Sequence, residues 1–224
     1  MNSKTTPPVP SRNARPSPGA SKRRSTWLLA GVSILVIGAL FVVYLVSNNS
    51  TTSNTSGGNY RFAVGQPGLG AQAPAVVLPS TAGGTFDLKA SAGKTVLFYF
   101  QEGVGCQPCW DQMRDIEKSW SQFSAAGVDQ FVTITSDSLE LISQKIKQDG
   151  IAGPVLADTD LAVSKTYDAN SYGMMGDSRD GHTFVLVGPD GVIRWRADYG
   201  GSPDYTMYVP VPSLLADLTA GPAA

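Results

Sequence analysis

The stretch that decides the fold is residues 95–110, TVLFYFQEGVGCQPCW. Its first part, Thr95–Phe100, is a continuous run of apolar and β-branched residues, which predicts a strand buried on both faces. A loop containing two glycines follows, and apolar residues then recur at spacings of four, three, four and three, at Cys109, Met113, Ile116, Trp120 and Phe123. This spacing predicts one face of an amphipathic helix, so the two cysteines lie where a strand passes into a helix.

The position of the pair Cys106 and Cys109 has chemical consequences. Pro108 fits the first helical turn, because that turn has no intrahelical partner for the N–H that proline lacks. The unpaired N–H groups of a helix start stabilise a thiolate and lower the pKa of a cysteine located there. We therefore predict that Cys106 is the exposed attacking nucleophile and that Cys109, on the apolar stripe, is the shielded resolving thiol. An inert disulfide is the alternative interpretation of the same motif.

The count of metal-binding residue types limits other functions. The chain has two cysteines and a single histidine, His182. A disulfide-stapled scaffold would need several cysteine pairs, and a structural zinc site usually needs four Cys or His ligands. We predict no metal and no cofactor.

An apolar segment at residues 27–46 predicts a transmembrane helix. Apart from Ser33 and Tyr44, these 20 residues are apolar or small, and that length crosses a hydrocarbon core of about 30 Å. The basic cluster Lys22–Arg24 precedes the segment, which places the N-terminus in the cytoplasm and the remainder outside. A cleaved signal peptide is the alternative, although no small-x-small cleavage site follows, and both interpretations export the rest of the chain.

The composition around this segment predicts the domain organisation. Residues 1–26 form a disordered basic cytoplasmic tail, residues 47–59 a flexible polar linker, and residues 60–224 the folded domain. All 18 acidic residues lie after residue 26, together with 11 of the 17 Lys and Arg. Such an acidic body does not favour a nucleic-acid partner, whose phosphates require a basic surface.

Within residues 60–224, β-type runs alternate with helical patterns, which predicts an α/β fold. Two hairpins are predicted, one at the start of the domain and one near its end. The elements expected besides Thr95–Phe100 and the helix after the cysteines are strands Val76–Leu78, Thr85–Leu88, Val128–Thr135, Thr183–Val187 and Val192–Ala197, and helices Leu139–Gln148 and Pro212–Leu218.

Short motifs spread along the domain resemble a known family. They include the segments 64–67 (VGQP), 85–88 (TFDL), 134–138 (ITSDS), 156–158 (LAD) and 183–191 (TFVLVGPDG). In order and spacing they are similar to the bacterial thioredoxin-like proteins of the alkyl hydroperoxide reductase and thiol-specific antioxidant family. The resemblance implies a thioredoxin-like fold, with a central mixed sheet flanked by helices and an N-terminal β-hairpin, and it implies thiol redox chemistry.

The chain departs from this family's patterns at two places. Peroxidatic members carry Pro-x-x-x-Thr-x-x-Cys, but the corresponding residues before Cys106 are Tyr99 and Gly103. Before Cys109 they are Glu102 and Cys106 itself. Thioredoxins also carry a cis-proline that faces the cysteines, whereas residues 181–183 contain no proline.

The function expected from these features is a membrane-anchored, extracytoplasmic thiol–disulfide oxidoreductase in a bacterial envelope. It would act on protein thiols or disulfides outside the cytoplasm and exchange electrons with a redox partner protein. A peroxidase that uses Cys106 is one alternative, and the missing Pro and Thr count against it. A non-catalytic binding module is another, which the missing cis-proline favours.

Several residues near the motif have both a functional and a structural interpretation. Glu102 could relay a proton to Cys109, or it could be a solvated loop acid. Trp110 could cover the disulfide or form a docking surface, or it could simply pack the helix. His182 could line the cysteine groove and tune Cys106, or it could be a surface or hydrogen-bonding histidine. Arg179 could support a thiolate or be merely exposed, and residues 172–176 could form an apolar contact loop.

Overall fold

The computed structural model of this chain describes Gly38 and residues 60–220. The predicted tail at 1–26 and the predicted linker at 47–59 lie outside these residues, as does all of the predicted transmembrane segment 27–46 except Gly38. No helix among the described residues is both long enough and apolar enough to cross a membrane.

A five-stranded mixed sheet forms the centre of the domain, in the order β5-β4-β3-β6-β7. β3 runs parallel to β4 and antiparallel to β6, β4 runs parallel to β5, and β6 runs antiparallel to β7. A separate two-stranded antiparallel hairpin, β1-β2, precedes it in the chain. The strands are β1 Val77–Pro79, β2 Thr85–Asp87, β3 Val96–Phe100, β4 Gln130–Thr135, β5 Val155–Ala157, β6 Thr183–Val187 and β7 Ile193–Asp198.

Among the residues that the structure describes, five α-helices connect the strands or flank the sheet. They are α1 Gln107–Lys118, α2 Trp120–Ala125, α3 Leu139–Asp149, α4 Ala162–Thr166 and α5 Val211–Thr219. Three short 3₁₀ helices lie at Leu88–Ser91, Ala169–Ser171 and Gly176–Ser178. The predicted α/β architecture with an N-terminal hairpin is therefore present.

The central position of β3 explains its composition. All five of its residues are buried, because the strand pairs on both edges and is covered on both faces. Phe98 and Phe100 pack in one apolar cluster, while Leu97 and Tyr99 pack in a second cluster that contains both cysteines. The end of β3 therefore delivers the chain directly to the cysteine motif.

The helix after the cysteines differs from the predicted single helix. It breaks at Ser119, where ψ moves to 15° and the Ser119 N–H is shared between the carbonyls of Asp115 and Ile116. Phe123 is buried as expected, but it belongs to the separate helix α2. The apolar periodicity continued across the break, so spacing alone did not reveal it.

Other boundaries follow the expected local signals. Helix α3 begins after Ser138, whose hydroxyl accepts a hydrogen bond from the N–H of Leu141, and it ends at Gly150, which adopts a left-handed conformation with φ of 66°.

Strand β5 was not predicted. It has three residues, and it is defined by its pairing with β4 rather than by a long apolar pattern.

Candidate active site

Cys106 and Cys109 form a disulfide at the N-terminus of α1. Cys106 is the N-cap residue, its side chain makes no capping hydrogen bond, and Pro108 lies in the first turn as predicted. Cys106 is 7% exposed and Cys109 is 0% exposed. The order of accessibility agrees with the prediction, but Cys106 is mostly buried rather than openly exposed. The small exposed surface of the pair therefore belongs to Cys106.

The loop before Cys106 is held by hydrogen bonds on several sides. The carbonyl oxygen of Gly103 accepts from the backbone N–H of Cys106 at 3.0 Å and from Nε1 of Trp110 at 2.9 Å. The N–H of Gly103 donates to Oε1 of Gln101 at 2.8 Å. The N–H of Val104 donates to Oδ2 of Asp137 at 2.6 Å. These bonds fix the backbone that positions the first cysteine.

Trp110 is completely buried, so it cannot form an exposed docking surface. Its indole N–H is bound to the Gly103 carbonyl, and the Nζ atom of Lys145 lies 5.8 Å from its ring centroid. This burial supports the helix-packing interpretation, and the indole hydrogen bond shows that Trp110 also holds the cysteine loop.

Glu102 is 6% exposed, which contradicts the interpretation as a solvated loop acid. Its Oε1 atom accepts a hydrogen bond from the backbone N–H of Met174 at 2.6 Å. This side chain joins two loops, and no hydrogen bond links it to Cys109 in the described part of the chain.

Arg179 is also more than an exposed cation. Its Nη1 atom forms an ion pair with Oδ1 of Asp137 at 2.7 Å and donates to the carbonyl oxygen of Glu102 at 3.2 Å. Asp137 is 5% exposed, so one buried carboxylate binds both the cysteine loop, through Val104, and the segment that contains Arg179.

His182 is fully buried, so the surface interpretation is wrong and the hydrogen-bonding one is right. Its Nδ1 atom lies 2.9 Å from the hydroxyl of Tyr99, and its ring packs edge-on against Tyr99, Phe184 and Tyr199. Burial lowers the pKa of His182 to about 3, so the imidazole is neutral at physiological pH. Within residues 60–220 it makes no hydrogen bond to either cysteine.

A second buried titratable group, Asp180, lies next to Arg179 in the chain. Burial raises the pKa of its carboxyl well above the usual range, and the charges of Asp158 and Asp137 add to the rise. The hydroxyl of Ser164 and the charge of Arg179 oppose it. Asp180 is therefore protonated at higher pH than an ordinary aspartic acid.

The folded part of the chain is similar to a known protein family. A sequence model described as the AhpC/TSA family matches residues 69–196. The chain belongs to the AhpC/TSA family. A similar protein is the thiol-disulfide oxidoreductase ResA of Bacillus subtilis (strain 168), which is 26% identical over 175 residues that cover 77% of this chain and 84% of the relative.

Solved structures of a peroxidoxin and of an AhpC protein share the fold. Peroxidoxin BcpB from Mycobacterium tuberculosis superposes with a TM-score of 0.57 at 15% identity, covering 68% of this chain and 96% of that protein. Mycobacterium bovis AhpC gives a TM-score of 0.56 at 19% identity, with coverage of 68% and 95%. These similarities establish the α/β thioredoxin-like fold that the sequence predicted.

The AhpC/TSA peroxidatic pattern is absent here for a structural reason. Tyr99, at the place of the pattern's proline, is buried within β3. Gly103, at the place of the threonine, has a φ of 100°, and a Cβ atom there would overlap the carboxylate of Asp137. A threonine at Gly103 would therefore be strained and would displace the acid that holds the cysteine loop.

The sequence motifs did not identify Asp137, which binds the cysteine loop, or Gln112, which lies on the helix that begins at the cysteines. Asp137 lies two residues after the end of β4, the parallel neighbour of β3, and the carboxyl ends of such strands meet at one edge of the sheet. That position was a usable signal. Gln112, which is fully buried and accepts a hydrogen bond from the N–H of Val209 at 2.7 Å, gave no comparable signal, because its partner lies 97 residues away in the chain.

Proposed function

We propose that this protein is a thiol–disulfide oxidoreductase that uses Cys106 and Cys109 to exchange electrons with protein thiols or disulfides. The observation that carries the proposal is the Cys106–Cys109 disulfide at the N-terminus of α1, with the remaining exposed surface on Cys106 alone. The similarity to a protein named as a thiol-disulfide oxidoreductase supports it.

The reaction follows from that arrangement. A substrate thiolate attacks Sγ of Cys106, the S–S bond to Cys109 breaks, and Cys109 leaves as a thiolate. A second substrate thiolate then attacks the substrate sulfur of the mixed disulfide, which releases Cys106. The substrate gains a disulfide and loses two electrons, and the cysteine pair takes up those two electrons and the two protons of the substrate thiols. In the reverse direction Cys106 attacks a substrate disulfide and Cys109 resolves the mixed disulfide.

The proposed location is the outer side of a membrane in a bacterial envelope, with residues 27–46 as the anchor and the N-terminus in the cytoplasm. The apolar length of that segment and the basic cluster Lys22–Arg24 support this topology. A labelling experiment tests it. In intact cells, after mild reduction, a membrane-impermeant thiol reagent should modify Cys106 of the full chain, because this topology puts the cysteine pair outside the membrane. The signal is specific, since the sequence has no cysteine besides this pair. Modification only after lysis would contradict the topology.

The two sulfurs should behave differently when each is replaced. Cys109→Ser leaves Cys106 without a resolving partner, so mixed disulfides with substrate proteins should accumulate and be visible on non-reducing gels. Cys106→Ser leaves only the completely buried sulfur, which should trap little and alkylate slowly. Equal alkylation rates, with no trapped protein in either variant, would favour an inert disulfide or a binding module.

The same variants separate exchange from peroxide reduction. Reduced protein should react with a protein disulfide faster than with hydrogen peroxide, because the backbone at Gly103 excludes the peroxidatic threonine. Peroxide consumption that depends on Cys106 and outpaces disulfide exchange would identify a peroxidase instead.

A further inference from the structure

Two large apolar side chains beside the cysteine loop are open to solvent. Met174 is 57% exposed and Met175 is 56% exposed, in adjacent positions of one segment, residues 172–179. Single exposed apolar residues are ordinary on a protein surface. Two adjacent exposed methionines suggest a function when the protein holds them close to reactive groups, as it does here.

The attachment is to the loop that carries Cys106. The backbone N–H of Met174 donates to the Glu102 carboxylate at 2.6 Å, and Arg179, at the other end of the segment, donates to the Glu102 carbonyl at 3.2 Å. The next residue, Gly103, accepts the hydrogen bond of the Cys106 N–H at 3.0 Å. The backbone of Met174 is therefore hydrogen-bonded to Glu102, and the backbone of Cys106 is hydrogen-bonded to Gly103, the next residue in the chain.

Tyr172 and Gly173, which begin the segment 172–179, are closely packed against residues 181 and 182. The Tyr172 carbonyl accepts from the N–H of His182 at 2.8 Å. A Cβ atom on Gly173 would lie 2.8 Å from Cα of Gly181, and a Cβ atom on Gly181 would overlap the Tyr172 carbonyl. The two backbone stretches thus approach as closely as glycine permits, which gives the exposed methionines a fixed base. A preformed base lowers the ordering cost of binding.

We infer that Met174 and Met175 form a docking surface for the apolar side chains that flank the reacting cysteine of an unfolded protein substrate. This inference rests on the proposed function and names its substrate class. A small thiol has no side chains to place on the methionines while its sulfur reacts, whereas a polypeptide can contact the disulfide and also the segment that is hydrogen-bonded to the cysteine loop. Residues 172–176 carry no charge, and flexible methionine side chains adapt to apolar partners of varied shape, so the surface selects apolar character rather than one sequence.

The test compares two substrates of the oxidised full chain. The rate constants for reaction with reduced, unfolded ribonuclease A and with dithiothreitol are measured by acid quenching and thiol quantification. In the double variant Met174→Ser/Met175→Ser, the ratio of the ribonuclease constant to the dithiothreitol constant should fall about tenfold, since partial burial of two methionines is lost. The matched control is Leu69→Ser/Val77→Ser, which removes two other apolar side chains of 51% and 53% exposure. It should keep the wild-type ratio.

Each other outcome has a definite meaning. A wild-type ratio in the methionine variant, including the case in which both constants fall together, would overturn the docking surface and leave the proposed function intact. An equal fall in the control variant would overturn it as well, because general surface apolarity would then be the cause. Wild-type protein that reacts with neither substrate would overturn the proposed function, and the docking surface with it.

Discussion

The two faces of the central sheet differ in what they bury. The apolar face, built around Phe98, Phe100 and Tyr167, consists of aliphatic and aromatic side chains. The redox face, built around Leu97, Tyr99 and the two cysteines, also contains aliphatic and aromatic residues. Polar groups are tied into it, through the contact of Tyr99 with His182 and the hydrogen bond from the Tyr199 hydroxyl to Asp217 at 2.7 Å.

This difference separates stability from chemistry. On the apolar face, Phe98 packs against Phe86 and Tyr167 at ring-centroid distances of 6.0 and 6.3 Å, and such contacts tolerate no polar atom without a partner. On the redox face, each buried polar group needs a specific partner, and those partners fix side chains in place. A substitution on the apolar face should therefore alter only the free energy of unfolding. A substitution on the redox face should also alter the pH dependence of stability or the reduction potential of the cysteine pair.

The largest effect is expected from Phe98→Ala on the apolar face. Truncating this completely buried ring should lower the free energy of unfolding by about 3–5 kcal/mol, measured by urea denaturation at pH 7.5. The reduction potential of the cysteine pair, measured against glutathione, should keep its wild-type value. Val77→Ala, at a side chain that is 53% exposed, is the control and should change stability by less than about 0.5 kcal/mol. A shifted potential in Phe98→Ala would show that the two faces are coupled.

The apolar face was largely predictable from the sequence. The run Thr95–Phe100 identified the central strand, and the runs Val128–Thr135 and Thr183–Val187 identified the strands paired with it. The helix start at the cysteines followed from Pro108 and from the apolar spacing after it. These features are local, because they depend on residues within one or two turns of each other.

The polar arrangement of the redox face was not predictable in the same way. Glu102 and Met174 are 72 residues apart, and Asp137 and Arg179 are 42 residues apart. Nothing in the local pattern distinguishes a loop acid in solvent from one that joins two buried segments. The burial of Glu102 was missed for that reason, and so were the partners of Arg179.

The second prediction concerns the pH dependence contributed by His182 on the redox face. Its pKa in the folded protein is about 3, against about 6.5 when unfolded. The unfolded chain therefore binds more protons between these values, and stability falls as the pH drops below about 6.5. Between pH 7.5 and pH 5 this single group should cost the wild type about 2 kcal/mol of unfolding free energy.

His182→Gln should lose that part of the pH dependence in urea denaturation at the two pH values. Tyr99→Phe is the matched control, since it removes the hydroxyl that lies 2.9 Å from Nδ1 of His182 but keeps the titrating ring. It should keep the wild-type slope. Asp180 and Asp198 have raised pKa values and so favour the folded state at low pH, but they do so in all three proteins and cancel in the comparison. An unchanged slope in His182→Gln would mean that His182 is not buried in its neutral form.

The smallest effects come from a pair of substitutions that each remove one hydrogen bond, one on each face. Trp110→Phe removes the bond from Nε1 to the Gly103 carbonyl at 2.9 Å, and Tyr167→Phe removes the bond from the hydroxyl to the Pro74 carbonyl at 2.8 Å. Each should lower the free energy of unfolding by about 1 kcal/mol.

The reduction potentials of the two variants should differ, because the Trp110 bond holds the cysteine loop in the disulfide form. If its loss destabilises that form alone, the reduction potential rises by up to about 20 mV, since about 30 mV corresponds to 1.4 kcal/mol for a two-electron couple. Tyr167→Phe should leave the potential at the wild-type value. Equal shifts in the two variants would show that the sheet does not separate the chemistry of one face from the packing of the other.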